Sequence, residues 1–166
     1  MSEEVRTAIA PINAFEYTVA EEDTDELGHV NNRVYMRWLE ESARQASALR
    51  GWGADAYLTR GFAWVARQHW IEYLRPCVPG DRIMVYTWVE ATAGARSLRR
   101  YCFKRGPKVC IVAATEWDFI NLATRRAVDV PESVRAQFEC VPADDPRLKE
   151  LGIARPVRYA PDPFVE

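Results

Sequence analysis

From Phe15 onward the chain alternates, with Phe15, Tyr17 and Val19 set against Glu16, Thr18 and Ala20, which is the period of a half-buried strand. The period then changes. After an acidic turn over Glu21, Glu22, Asp23 and Asp25, apolar and small residues recur at spacings of three and four: Tyr35, Trp38, Leu39, Ser42, Ala43, Ala46 and Leu49. This predicts a helix from about Arg33 to Arg50, with Asn31 and Asn32 at its N-cap, an outer-face pair between Glu40 and Arg44, and a stop at Gly51, Trp52 and Gly53. Beyond a loop containing Gly61, strand-like runs follow over 62–74, 83–90, 97–104 and 109–121, separated by short connections rich in Pro and Gly. In the second run Ile83, Val85, Thr87 and Val89 face one way and Met84, Tyr86 and Trp88 the other. Bulk on both faces predicts two covers, the helix on one side and another subunit on the other.

Short connections imply antiparallel neighbours. The order of strand, long helix and a run of antiparallel strands therefore predicts an α+β layer, one helix against one sheet. A short helix is expected over 131–138, with Pro131 near its first position. After Val141 the chain holds five of its ten prolines and reads as an extended tail over 142–166, with a helical turn near 147–151. Residues 1–11 read as a loose arm, so the expected organisation is a single domain over 1–141 and the tail. The length of 166 residues suits one domain able to bury a core without disulfides.

Composition narrows the function classes. The 22 basic and 24 acidic residues leave a formal charge of -2, which argues against a nucleic-acid binder working through bulk positive charge. Four cysteines at 77, 102, 110 and 140 show neither Cys-x-x-Cys nor a zinc spacing, and are expected to be free thiols in a reducing compartment. The polar, acidic start lacks the pattern of a secretory signal, and no window reaches a membrane span, so the expectation is a cytoplasmic protein without membrane partners.

Candidate chemistry concentrates in 23–39, where Asp23, Asp25, Gly28, His29, Asn31 and Asn32 crowd the approach to the helix. The run Asp25, Gly28, His29, Val30, Asn31, Asn32 and Tyr35, followed by Trp38, Leu39 and Glu40, resembles the signature of hotdog-fold acyl-CoA thioesterases of the 4-hydroxybenzoyl-CoA thioesterase-like family, and is also similar to acyl-ACP thioesterases. A second stretch, Ile71 to Pro76 and then Gly80 and Asp81, resembles the strand and turn that follow the helix in those proteins. The resemblance covers about 13–138. It implies a hotdog fold, a five-stranded antiparallel sheet curled around one long helix. It also implies a homodimer or dimer of dimers, with active sites where the helix N-terminus of one chain faces its partner.

The implied activity is hydrolysis of an acyl-CoA, or an acyl chain on a carrier protein, without metal or cofactor. That reaction needs an activated water or a nucleophile, and donors aimed at the developing oxyanion. Asp25 matches the family's catalytic aspartate, as general base or nucleophile; the competing reading is an acidic turn residue favouring the helix start. Asn32 matches the position whose backbone N–H polarises the thioester carbonyl. His29 either orients Asp25 or the substrate, or is a loop histidine bound to backbone. Gly28 is expected to give clearance, Asn31 to cap the helix, and Tyr35 to pack in the core or line the acyl pocket. Phe62 and Trp64 are candidates for the wall of an acyl tunnel. Arg96 and Ser97 match a region that contacts the nucleotide and pantetheine arm, although Gly94 and Ala95 stand where that branch carries further arginines. Arg99, Arg100, Lys104, Arg105 and Lys108 thicken the charge nearby, or form a solvated strand face. Two other classes stay open: a hotdog enoyl-thioester hydratase or dehydratase, and a non-catalytic acyl-thioester binding module.

Overall fold

In the computed structural model, which describes residues 10–164, one 17-residue helix lies against a curled antiparallel sheet. The part of the expected N-terminal arm before residue 10 lies outside the described residues. The elements run β1 (Asn13–Thr18), a 3-10 turn (Glu21–Asp23), α1 (Asn32–Ala48), α2 (Ala54–Thr59), β2 (Phe62–Tyr73), β3 (Arg82–Ala93), β4 (Arg96–Arg105), β5 (Lys108–Asn121), β6 (Arg126–Ala127), α3 (Glu132–Arg135) and α4 (Pro146–Glu150). Five strands stand in the order β1-β3-β4-β5-β2, and the two-residue β6 adds to β5 beyond the end of β4. β1 and β2 are the outer strands of that path, so the 12-residue β2 pairs on one side only.

The helix forms where its apolar period falls. Val34, Tyr35, Trp38, Leu39, Ser42, Ala43 and Ala46 are buried, and they meet Ile83 and Val85 of β3, Tyr101 and Phe103 of β4, and Ile111 and Ala113 of β5. Trp38 and Leu39 are 2% and 1% exposed, and burying side chains of that size stabilises by about 1.5–3 kcal/mol each. Asn31 alone is the N-cap, its Oδ1 accepting from the Arg33 N–H at 2.9 Å; Asn32 is the first helical residue. Two details differ from expectation. Leu49 lies beyond the last helical turn and is 40% exposed, and the helix-face ion pair is Arg37–Glu41 at 3.7 Å instead of Glu40–Arg44.

The second face of the sheet corrects a larger expectation. Its cover is the chain's own tail instead of another subunit: Val141, Leu148, Ile153 and Val157 pack against Trp88, Leu98, Cys102, Val112 and Ala114. Polar contacts fix the strap. Val141 N–H donates to Val89 O at 2.8 Å, Lys104 Nζ to Leu151 O at 2.7 Å and Arg100 Nη2 to Arg155 O at 3.1 Å. Arg100 also pairs with Glu90 at 3.2 Å beneath the strap, both side chains less than a tenth exposed. The four cysteines are free, with Cys77, Cys102 and Cys110 buried.

Candidate functional site

The loop between the 3-10 turn and α1 is built by its own backbone. Asp25 N–H donates to His29 O at 2.9 Å, Gly28 N–H returns to Asp25 O at 3.0 Å, and Thr24 bridges Val30. Asp25 Oδ1 accepts from the Leu27 N–H at 2.9 Å and the His29 N–H at 3.3 Å, which fixes the carboxylate and leaves Oδ2 without a hydrogen bond among the described residues. His29 meets Asp25 through its backbone, and its ring makes no hydrogen bond among the described residues. Gly28 sits at φ +74°, but a Cβ there meets nothing within 4 Å. The glycine is therefore selected by its left-handed backbone and not by clearance, which corrects the expected role.

Asp23 takes no part in that loop's carboxylate display. It is buried, with Oδ2 accepting from Ala20 N–H at 2.9 Å and Oδ1 paired with Arg37 at 3.3 Å, while its carbonyl accepts from Asn31 N–H. The first amides of α1 are then accounted for except one. Arg33 N–H goes to the Asn31 side chain and Val34 N–H to Asn31 O, and the Asn32 N–H has no acceptor among the described residues. An unsatisfied amide at the positive end of a helix is an anion-seeking donor.

The other expected site residues lie elsewhere. A cavity of about 310 Å³ opens beside the C-terminal half of α1, where Ala43 and Ser47 meet Trp52 and Tyr57, the first residues of β2 and the end of β5. Phe62, Trp64 and Ser97 line it. Aromatic rings set its wall: Trp64 packs against Phe119 at 4.9 Å between centroids and Tyr57 stacks on Trp52 at 5.0 Å. Asn32 and Ala43 are 11 positions apart on one helix, so the loop and the cavity are separated by roughly 16 Å of helix.

Tyr35 joins neither group. It packs edge-on against Trp38 and tilted against Phe103, and burial pushes its phenol far above the ordinary value. Arg96 is also absent from the cavity, because the register of β4 with β5 sets it against Asp118 and its guanidinium pairs with Glu116 at 3.3 Å and Asp118 at 3.5 Å. The expected solvated face is likewise absent around Arg99 and Arg100, which are 7% and 6% exposed. Trp52, Tyr57 and Phe138 are lining residues that the sequence reading passed over, and Arg99, read there only as one of a run of charges, lines the cavity too. The signal for Arg99 was its phase, two residues before Tyr101 and four before Phe103 on the inner face.

His69 was passed over as well. On β2 its Nδ1 lies 2.8 Å from Thr115 Oγ1; burial lowers its pKa while Glu40 opposes the shift. No cluster of three or more His, Cys, Asp or Glu suited to a metal occurs among the described residues, and no helix there is long and apolar enough to cross a membrane.

A helix wrapped by a five-strand antiparallel path in this order, with a polar loop ahead of the helix, defines a hotdog fold. The model of the thioesterase-like superfamily matches residues 19–138, and the chain belongs to that superfamily. Among solved structures, a 1,4-dihydroxy-2-naphthoyl-CoA thioesterase from Synechocystis is similar at 19% identity and a TM-score of 0.70, over 76% of this chain and 94% of that one. The probable thioesterase YbaW from Escherichia coli is similar at 21% identity and a TM-score of 0.66, over 75% and 94%. An acyl-ACP thioesterase from Bacteroides thetaiotaomicron aligns over 96% of this chain and 60% of its own length, at 19% identity and a TM-score of 0.76.

Proposed function

We propose that the protein hydrolyses an acyl-CoA thioester to free acid and thiol, with Asp25 as the reactive carboxylate. One observation carries the proposal: in a thioesterase-like chain, a carboxylate oriented by two backbone amides precedes a helix whose first N–H has no acceptor among the described residues. The free Oδ2 suits either removal of a proton from water or direct attack on the carbonyl carbon. The Asn32 N–H suits the oxyanion that forms on either route. The thiolate then leaves, and one water is consumed for each acid and thiol released. An acyl chain on a carrier protein is the alternative substrate, since the thioester and the chemistry are the same.

The site is proposed to be completed across a dimer. β2 is an outer strand, and two copies pairing antiparallel through it would set the start of one strand against the end of the other. Phe62 and Trp64 at the start line the cavity, while Tyr73 at the end packs on Tyr35 of the first helical turn at 5.8 Å. Such pairing turns the cavity of one protomer towards the helix N-terminus and Asp25 loop of its partner. A dimer of dimers is compatible with this arrangement.

The reading is tested by thiol release from a panel of alkyl and aryl acyl-CoAs. Turnover by the native chain and its loss in Asp25→Asn, with circular dichroism and oligomeric state retained, is the expected result. Undiminished turnover in Asp25→Asn would overturn the assignment. Loss of the conjugated band of a 2-enoyl thioester without thiol release would instead favour a hydratase.

A further inference from the structure

The cavity carries a charge pattern that thioester hydrolysis does not call for. Its lining includes Arg44, Arg99 and Arg135 and no acidic residue. Arg99 is the buried one, on the inner face of β4, and its single hydrogen bond among the described residues is from Nη1 to Thr87 Oγ1 at 3.1 Å. A guanidinium has five N–H donors, so most of its capacity is unused.

Its neighbour in sequence shows what a satisfied arginine looks like in this sheet. Arg100 is equally buried on the other face, yet it pairs with Glu90, donates to Ala113 O and Arg155 O, and lies over the Trp88 ring at 5.7 Å. Arg99 has no carboxylate within ion-pair distance among the described residues. Its charge is felt unfavourably by Arg50, whose pKa is pulled down to about 10 by burial and then by the Arg99 cation. An unpaired buried cation is costly unless something supplies the counter-charge. The cavity it lines is where that charge can enter.

We propose that Arg99 receives a carboxylate at the far end of the acyl group, so that the substrates are thioesters of compact dicarboxylic or carboxyaryl acids. This rests on the hydrolase reading above and adds the substrate class. The aromatic wall of Trp52, Tyr57, Phe62, Trp64 and Phe138 takes the apolar body of such a group. Arg99 supplies charge-assisted hydrogen bonds in a site largely screened from water, where an acyl group ending in a methyl leaves the cation unpaired. The cavity of about 310 Å³ is at the small end of ligand sites.

The test separates binding from turnover. Terephthalamate and adipamate, each with one carboxylate and one amide, are titrated into the native protein by tryptophan fluorescence beside the neutral diamides. The acids are expected to bind about 10- to 100-fold tighter, Arg99→Met to erase the difference, and Arg99→Lys to restore part of it. In parallel, kcat/KM is measured for 4-carboxybenzoyl-CoA and adipoyl-CoA against their methyl esters, with the same preference expected. Equal binding of acids and diamides by the native protein, or a preference that survives in folded Arg99→Met, overturns the proposal. If no CoA ester releases thiol while the acids still outbind the diamides through Arg99, the hydrolase reading fails and the anion site stands. If hydrolysis proceeds equally on carboxylate and ester, the anion site fails and the hydrolase stands.

Discussion

The two ends of α1 have opposite characters. At the N-terminal end a loop holds an oriented carboxylate and an amide with no acceptor among the described residues, and neither lines the cavity. At the C-terminal end an aromatic cavity offers room and a buried cation, and no carboxylate lines it. Reactive groups need access and fixed geometry, which hydrogen bonds within a loop supply; an acyl group needs a dry wall, which only the sheet and helix together supply. On the proposed reading a single protomer separates reactivity from recognition by more than half of the helix. In the proposed dimer each end completes the other end of its partner.

That division can be broken at either end. Asp25→Asn is expected to lower kcat by about 10²- to 10⁴-fold, the range for a positioned acid or base, while affinity for free acids in the cavity stays unchanged. Steady-state kinetics beside acid titration read the two effects separately, and a parallel loss of acid binding would contradict the division. Trp64→Ala at the other end is expected to raise KM by roughly 10-fold with a smaller change in kcat, because it removes an aromatic wall and no reacting group.

Smaller effects sharpen the picture. Asn31→Ala should cost about 1 kcal/mol in urea unfolding by removing the cap, with Asn31→Asp retaining most of it. His69 gives the mildest effect and the sign is fixed by burial. Its folded pKa is depressed, so the stability held by the neutral ring is present above the unfolded value of about 6.5 and lost as pH falls through the folded one. Unfolding midpoints at pH 7.5 and 5.5 should therefore differ more in the native chain than in His69→Gln, which keeps a partner for Thr115.

The parts of the fold that were legible in the sequence are those with a period. Tyr35 to Ala46 repeats at three and four, and the strand runs from Phe62 to Asn121 alternate between turn residues, so α1 and four strands could be bounded to within a few residues. Short α2 buries only Tyr57 and has no period to detect. The tail was read as extended from its prolines, and its apolar contacts, Val141, Leu148, Ile153 and Val157, are spaced too irregularly to suggest a face. Its packing depends on a surface assembled from three strands, which no local window contains.

The candidate site divides along the same line. Asp25, Gly28, Asn31 and Asn32 lie within one short segment, so their proximity followed from spacing. Arg96 was drawn to the substrate by the family resemblance, whereas its partners Glu116 and Asp118 arrive through the β4–β5 register. Arg99 was set aside as one charge among many, although its phase with Tyr101 and Phe103 put it on the inner face. Charge suggested solvent, and the alternation was the better guide.

The most direct measurement of the central claim mixes two inactive chains. Asp25→Asn lacks the reactive carboxylate, and Ala54→Trp fills the cavity from its rim. Dissociated and reassembled together at equal amounts, they should recover about one quarter of native thiol release, because half of the dimers are mixed and each of those has one site with both parts intact. Recovery at that level is the predicted result. Mixed dimers that form and stay inactive would contradict a site shared between protomers.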